Sequence, residues 1–151
     1  MKPGPELWAC PRCGRRFANR NQTHSCGRWS VDAFLAGQDA GARTLYGRFA
    51  ELACAVGKVT VAPAKTRVGF QARMIFAAVN QLGPGRLDAH VVLARRLEDP
   101  RFHRIDSISP KNHVHHFRVG SVEELDAEVL AWLREAYEVG EQHHLDPAHA
   151  S

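Results

Sequence analysis

The chain has no apolar run approaching the roughly 20 residues that a membrane-spanning helix needs, so no membrane partner is expected. Its opening, MKPGPELWAC, holds two prolines and no apolar stretch of the kind a secretory signal carries. Cysteine is scarce, four in all, and three of the four crowd into residues 10–26 instead of spreading as a disulfide framework. Internal repeats and low-complexity tracts are missing, as are a Gly-rich phosphate loop, a nucleophile elbow and paired carboxylates outside the acidic C-terminal helix. Aromatics make up 8% of the residues and few fall at outward strand positions, which leaves single-stranded nucleic acid little to stack on. A cytoplasmic globular protein is therefore expected, and the 151 residues suffice for one compact domain with a small appendage.

What is present begins with CPRCGRRFANRNQTHSC. Cys10, Cys13, His24 and Cys26 form a four-ligand set suited to tetrahedral zinc. Pro11 and Gly14 fit the tight Cys-x-x-Cys turn, and Arg12, Arg15 and Arg16 offset the net negative charge of three thiolates and a neutral imidazole. With all four positions filled by protein, no site remains for an activated water, so the zinc is expected to be structural. A thioredoxin-like reading of CPRC lacks the preceding strand and following helix. The spacing His24-x-Cys26 suits a turn, whereas ligands on a recognition helix lie three to five residues apart. The expected finger is therefore a staple more than a base-reading device. The fourth cysteine, Cys54, lies in an apolar run and is expected to be a buried thiol.

The net charge of +4 conceals a split. Residues 1–120 carry nineteen of the twenty Lys and Arg but only eight of the sixteen acids; residues 121–151 carry Arg134 and the other eight acids. A basic body suggests a negatively charged partner, and the alternative is that the acidic helix faces the basic surface of its own fold.

Along the chain, residues 1–29 form the finger, 30–143 an α+β domain and 144–151 a flexible tail. Ser30 caps a short helix, VDAFLAG. Leu45, Phe49, Leu52 and Val56 make the stripe of a second helix over residues 40–56, ended by Gly57. Strands follow in KVTVA, TRVGFQ, RMIFAAV, LDAHVVLA and HVHHFRV, while residues 95–112, holding Pro100 and Pro110, predict a long basic loop. Ser121-x-x-Glu124 is a capping box opening the last helix, with Val122, Leu125, Val129, Trp132, Leu133 and Ala136 buried and Gly140 as the stop. The expected fold class is α+β, a mostly antiparallel sheet with helices on one face, preceded by a small zinc finger. AKTRVGFQARMIFAAVN, LDAHVVLARRL, HHFRVGSVEELDAEVLAWLREAY and the leading Cys/His segment together resemble a bacterial family of uncharacterised function, domain of unknown function 5655, in members with an N-terminal zinc finger. The resemblance covers nearly the whole chain and implies the two-module layout, with no activity, substrate or catalytic residue.

Strand parity selects the candidate site. If Val68, Phe70, Leu87, Ala89, Val91, Phe117 and Val119 face the helices, then Arg67, Arg73, His90, His116 and Arg118 gather on the opposite face, with Lys65 at its flank. Such a face suits an anionic ligand. The plain alternative is a solvated polar face of an antiparallel sheet. His113 and His115 share one face, without a third ligand for a second metal. The functional expectation is a zinc-stapled binding module for nucleic acid or another anionic ligand; the alternative is a small-molecule enzyme or sensor using the same face as a pocket. Whether the protein is an enzyme stays open, and catalytic residues are unassigned beyond His90 or His116 as a general base.

Elemental analysis of the purified protein should find one zinc per chain, and Cys13→Ser should abolish it while hydrogen exchange shows lost protection confined to the first thirty residues. Absence of stoichiometric zinc would remove the finger.

Overall fold

The computed structural model describes residues 7–11, 15–18 and 29–143. Two short strands, β1 (Trp8–Ala9) and β2 (Arg16–Phe17), pair as an antiparallel ribbon. Two helices follow, α1 (Val31–Leu35) and α2 (Ala40–Cys54), then six strands, β3 (Thr60–Pro63), β4 (Val68–Gln71), β5 (Ile75–Gly83), β6 (Arg86–Leu93), β7 (Phe102–Ser109) and β8 (Asn112–Val119), and last α3 (Ala127–Gly140). The six strands form one antiparallel sheet in the order β3-β4-β5-β6-β8-β7. The α+β class is as expected. Among the described residues no helix is long and apolar enough to cross a membrane.

Local chemistry sets the element ends. Ser30 Oγ accepts from the Ala33 N–H at 3.0 Å and starts α1. Asp39 Oδ1 accepts from the Ala42 N–H at 2.7 Å, and its Oδ2 also accepts from the Gly85 N–H at 3.2 Å, so one carboxylate caps α2 and holds the β5–β6 turn. Gly85 has φ +59°, a conformation this two-residue hairpin turn reaches cheaply only with glycine.

Both long helices cover the same sheet face. Phe49 of α2 meets Phe70 edge-on at 5.6 Å and Phe117 at 6.3 Å. Trp132 of α3 packs against Phe102 at 4.4 Å and Phe117 at 5.4 Å, with the Arg101 guanidinium 4.5 Å above its ring. Val68, Phe70, Leu87, Ala89, Val91, Leu93, Phe117 and Val119 line the sheet side of this core.

Three expectations need correction. Residues 95–112 are not all loop, because Phe102–Ser109 form β7 at the sheet edge. An edge strand pairs on one side only and most of its side chains meet water, so its apolar alternation is weak. The last helix does not begin at Ser121. Residues Val122–Glu124 make one 3₁₀ turn, Ser121 provides no side-chain cap to the backbone, and Glu124 Oε1 accepts the Gly120 N–H at 3.0 Å, one residue short of a capping box. Asp126 caps the true α3 by accepting from Glu128 and Val129, both at 3.1 Å. Val122 is consequently exposed, whereas Leu125, Val129, Trp132, Leu133 and Ala136 are buried as the stripe requires. Cys54, finally, is exposed at the end of α2 and not a core thiol.

Gly140 closes α3 against the sheet. A Cβ there would stand 2.9 Å from Phe76 Cβ and 3.1 Å from the Met74 carbonyl oxygen, so Gly140→Ala should cost about 1–3 kcal/mol by overpacking. Trp132→Ala should cost about 3–5 kcal/mol by emptying the core beneath Phe102 and Phe117. Urea unfolding of both variants checks these values; an unchanged midpoint for Trp132→Ala would contradict the docking of α3.

Candidate anion-binding face

The helix-covered face fixes which residues lie on the opposite one, where His90 and Gln71 are themselves buried. Register pairs Ala89 with Phe117 and Val91 with His115 toward the helices, which sends the pairs Asp88–Arg118, His90–His116 and Val92–Val114 to the opposite face. Arg67, one residue before β4, continues the outward parity of Gly69 and Gln71, and its charge acts on His90. Four of the five anticipated residues, Arg67, His90, His116 and Arg118, thus share the outer face.

Arg73 does not join them. The β4–β5 register shifts between Phe70 and Gln71, Ala72 N–H turns back to the Met74 carbonyl, and Met74 N–H binds the Gly140 carbonyl at 2.8 Å. This detour carries Arg73 to the end of α3, where its Nε donates to Gln142 Oε1 at 3.0 Å. A bulge breaks the parity that strict alternation assumes.

The two histidines form the centre of the face. Their rings lie 5.4 Å apart on facing strands. His90 Nδ1 is 3.0 Å from Asn80 Oδ1, an acceptor, so Nδ1 carries the proton and Nε2 keeps its lone pair. His116 Nε2 is 3.1 Å from Asp106 Oδ2. Burial, then the neighbouring His116 and Arg67, push the His90 pKa down to about 3, while Asp106 pulls weakly the other way. The hydrogen bond from Arg104 holds the Asp106 carboxyl below its ordinary value, and His116 adds to this. His103 lies 6.3 Å from His116.

The face is less basic than composition suggests. Arg118 Nε pairs with Asp88 Oδ1 at 2.6 Å, and Arg104 Nε with Asp106 Oδ1 at 2.9 Å. Asn80, Asp106 and Arg104 were not among the anticipated residues. Asn80 sits at a register shift between Val79 and Gln81, and the other two lie on the edge strand read as loop. The partnership of Asp88 with Arg118 depends on register, which alternation alone does not supply.

The N-terminal ribbon reaches this same face. Arg15 Nη2 donates to Gln71 Oε1 at 2.8 Å, and Gln71 Nε2 donates to the Arg16 carbonyl. Gln71 is buried by this clasp. Of the expected zinc ligands, Cys10 is buried and its N–H donates to the Arg15 carbonyl at 2.8 Å; Cys13, His24 and Cys26 lie outside the described residues. Among the described residues no group of three or more potential ligands could hold a metal. His115, which with His113 shares the face weighed for a second metal, is a core histidine: its Nε2 accepts from the Leu97 N–H and its Nδ1 donates to the His113 carbonyl, each at 2.9 Å. Burial lowers its pKa.

A family model described as Domain of unknown function (DUF5655) matches residues 31–140, which span both long helices and the whole six-stranded sheet. The chain belongs to this family. No curated protein and no solved structure matches it. Within the DUF5655 domain lie Arg67, Asn80, His90, Asp106 and His116; the ribbon with its cysteine motif precedes the match.

Neutral His90 has a consequence for stability. In the unfolded chain it takes up a proton near its ordinary 6.5, in the folded domain only near 3, so unfolding gains a proton between those values. Stability should therefore be fully present above about pH 6.5 and fall as pH drops toward 3, at up to about 1.4 kcal/mol per pH unit. His90→Asn should flatten this acid limb relative to wild type, with His115 and the depressed carboxyls of Asp106 and Asp126 supplying the remaining slope. Parallel limbs in urea titrations across that window would show that His90 is not held neutral.

Proposed function

We propose that the protein is a zinc-stapled binding module whose outer sheet face takes a small anionic ligand beside the N-terminal ribbon. Arg67 supplies the charge, and His90 and His116 supply directional hydrogen bonds. The observation that carries this reading is the His90–His116 pair, in which each ring has one nitrogen committed to a fixed oxygen, Asn80 or Asp106, while the other makes no hydrogen bond among the described residues. Two imidazoles fixed in this way recognise a ligand at little entropic cost.

The ion pairs favour a small ligand over a polyanion. Asp88 and Asp106 neutralise Arg118 and Arg104 on the face a nucleic-acid backbone would cross, and Arg73 has left it. A polymer phosphate backbone needs many unpaired cations in a row; a single phosphate or carboxylate needs one or two. A structural zinc at Cys10, Cys13, His24 and Cys26 completes the proposal, holding the ribbon that clasps Gln71. A second reading, an enzyme acting on the bound ligand, draws on the Asp106–His116 contact, since a carboxylate that orients an imidazole is the arrangement of a general base.

Calorimetric titration with inorganic phosphate, mononucleotides, dicarboxylates and an oligonucleotide tests the proposal. Small anions should bind, and Arg67→Ala and His116→Ala should each weaken that binding by about tenfold, or ~1.4 kcal/mol. Because His90 stays neutral, acidification from pH 8 to pH 5 should not add a second positive charge there. Oligonucleotide binding that falls steeply with salt and ignores both substitutions would contradict the proposal.

A further inference from the structure

The sheet has two edges of different character. β3 is four residues long and ends in Pro63, which cannot donate to a further strand. β7 is eight residues long, contains no proline, pairs among the described strands only with β8 and carries Ile108, whose exposure of 68% is the largest among the described large hydrophobic residues.

The β7 sequence is self-complementary. In an antiparallel pairing of two copies about a twofold axis at Ile105, Arg104 falls opposite Asp106 and Ile105 opposite itself. Within the regular stretch, cation meets anion on both sides of the axis and the apolar Ile105 meets its own copy. Arg104 and Asp106 lie on one face, where they already pair within the chain at 2.9 Å, so two copies bring four alternating charges together. Ile105 is directed to the helix side by its pairing with the buried His115. The β7–β8 register is regular from Arg104 through Ser107, a stretch that contains the axis and both charged neighbours of Ile105, with irregularities at its two ends.

We infer that β7 is the contact through which a second copy of this chain docks, edge to edge, joining two six-stranded sheets into one continuous sheet. The partner is a second copy because the complementarity is internal to one strand, and an isologous twofold contact requires a patch that matches itself. A twofold axis normal to the sheet keeps both outer faces on the same side, so the His90–His116 clusters of the two copies open in one direction. The paired edge is short, and the contact belongs with small, concentration-dependent interfaces rather than obligate ones. The pairing is independent of any ligand on the outer face.

Sedimentation velocity of the full chain over a wide concentration range tests this, together with hydrogen exchange at both ends of the range. Wild type should shift from monomer toward dimer, and the amides of β7 should gain protection as it does so. Arg104→Asp, which sets Asp against Asp across the axis, should abolish the shift, and Arg104→Asp with Asp106→Arg should restore it. Ile105→Lys, which opposes two cations at the axis, should keep the protein monomeric; far-ultraviolet circular dichroism of each variant checks that the fold is retained. A monomer at every concentration, or a dimer that both single substitutions leave intact, would overturn the inference.

Discussion

Phe117 is the residue through which the rest of the structure is held. It stands on β8 between Phe49 of α2 and Trp132 of α3, and its ring touches both. A helix has one apolar stripe and an antiparallel strand one apolar face, so this three-ring contact decides which side of the sheet is covered. Once Phe117 and its partner Ala89 face the helices, pleating gives His90, His116 and Arg118 no choice of side. The polar face is thus a consequence of the core. A one-residue slip of β6 against β8 would bury these charges, and the cost of burying them unpaired keeps the register single.

The outer face shows how the same residue types acquire different roles from their surroundings. Arg118 and Arg104 are spent on Asp88 and Asp106, whereas Arg67 acts on the neutral ring of His90. His115, on the opposite side of the same strand as His116, has both nitrogens satisfied and serves the core by tying Leu97 to β8. Counting basic residues overstates the positive field, because exposed ion pairs cancel it locally even when they add little to stability.

The α+β class, the helix stripes and the outward placement of His90, His116 and Arg118 were legible in the sequence, because each rests on periodicity enforced by a buried face. Four features were not. The path of Arg73 depends on a register shift, a tertiary event that alternation cannot announce. β7 looks like loop in the sequence because an edge strand flanked by Pro100 and Pro110 is under no pressure to alternate. The start of α3 was misplaced because Ser121-x-x-Glu124 and Asp126 are both good caps. Leu125, with ψ 72°, leaves the helical conformation between them and lets Asp126 win. Asn80, which fixes the His90 tautomer, stands at an irregularity between Val79 and Gln81, so its partner could not be found by counting.

The central claim is that the outer face holds a neutral His90 and a carboxylate-bound His116 arranged to receive a small anion. The most direct measurement is a long-range proton–nitrogen correlation spectrum of the imidazole rings, recorded from pH 8 to pH 5 with and without inorganic phosphate. The account predicts that His90 stays a single neutral Nδ1–H tautomer throughout, and that phosphate shifts the His90 and His116 nitrogens while leaving those of core His115 in place. A His90 ring that protonates in that range, or histidine signals indifferent to phosphate, would contradict it.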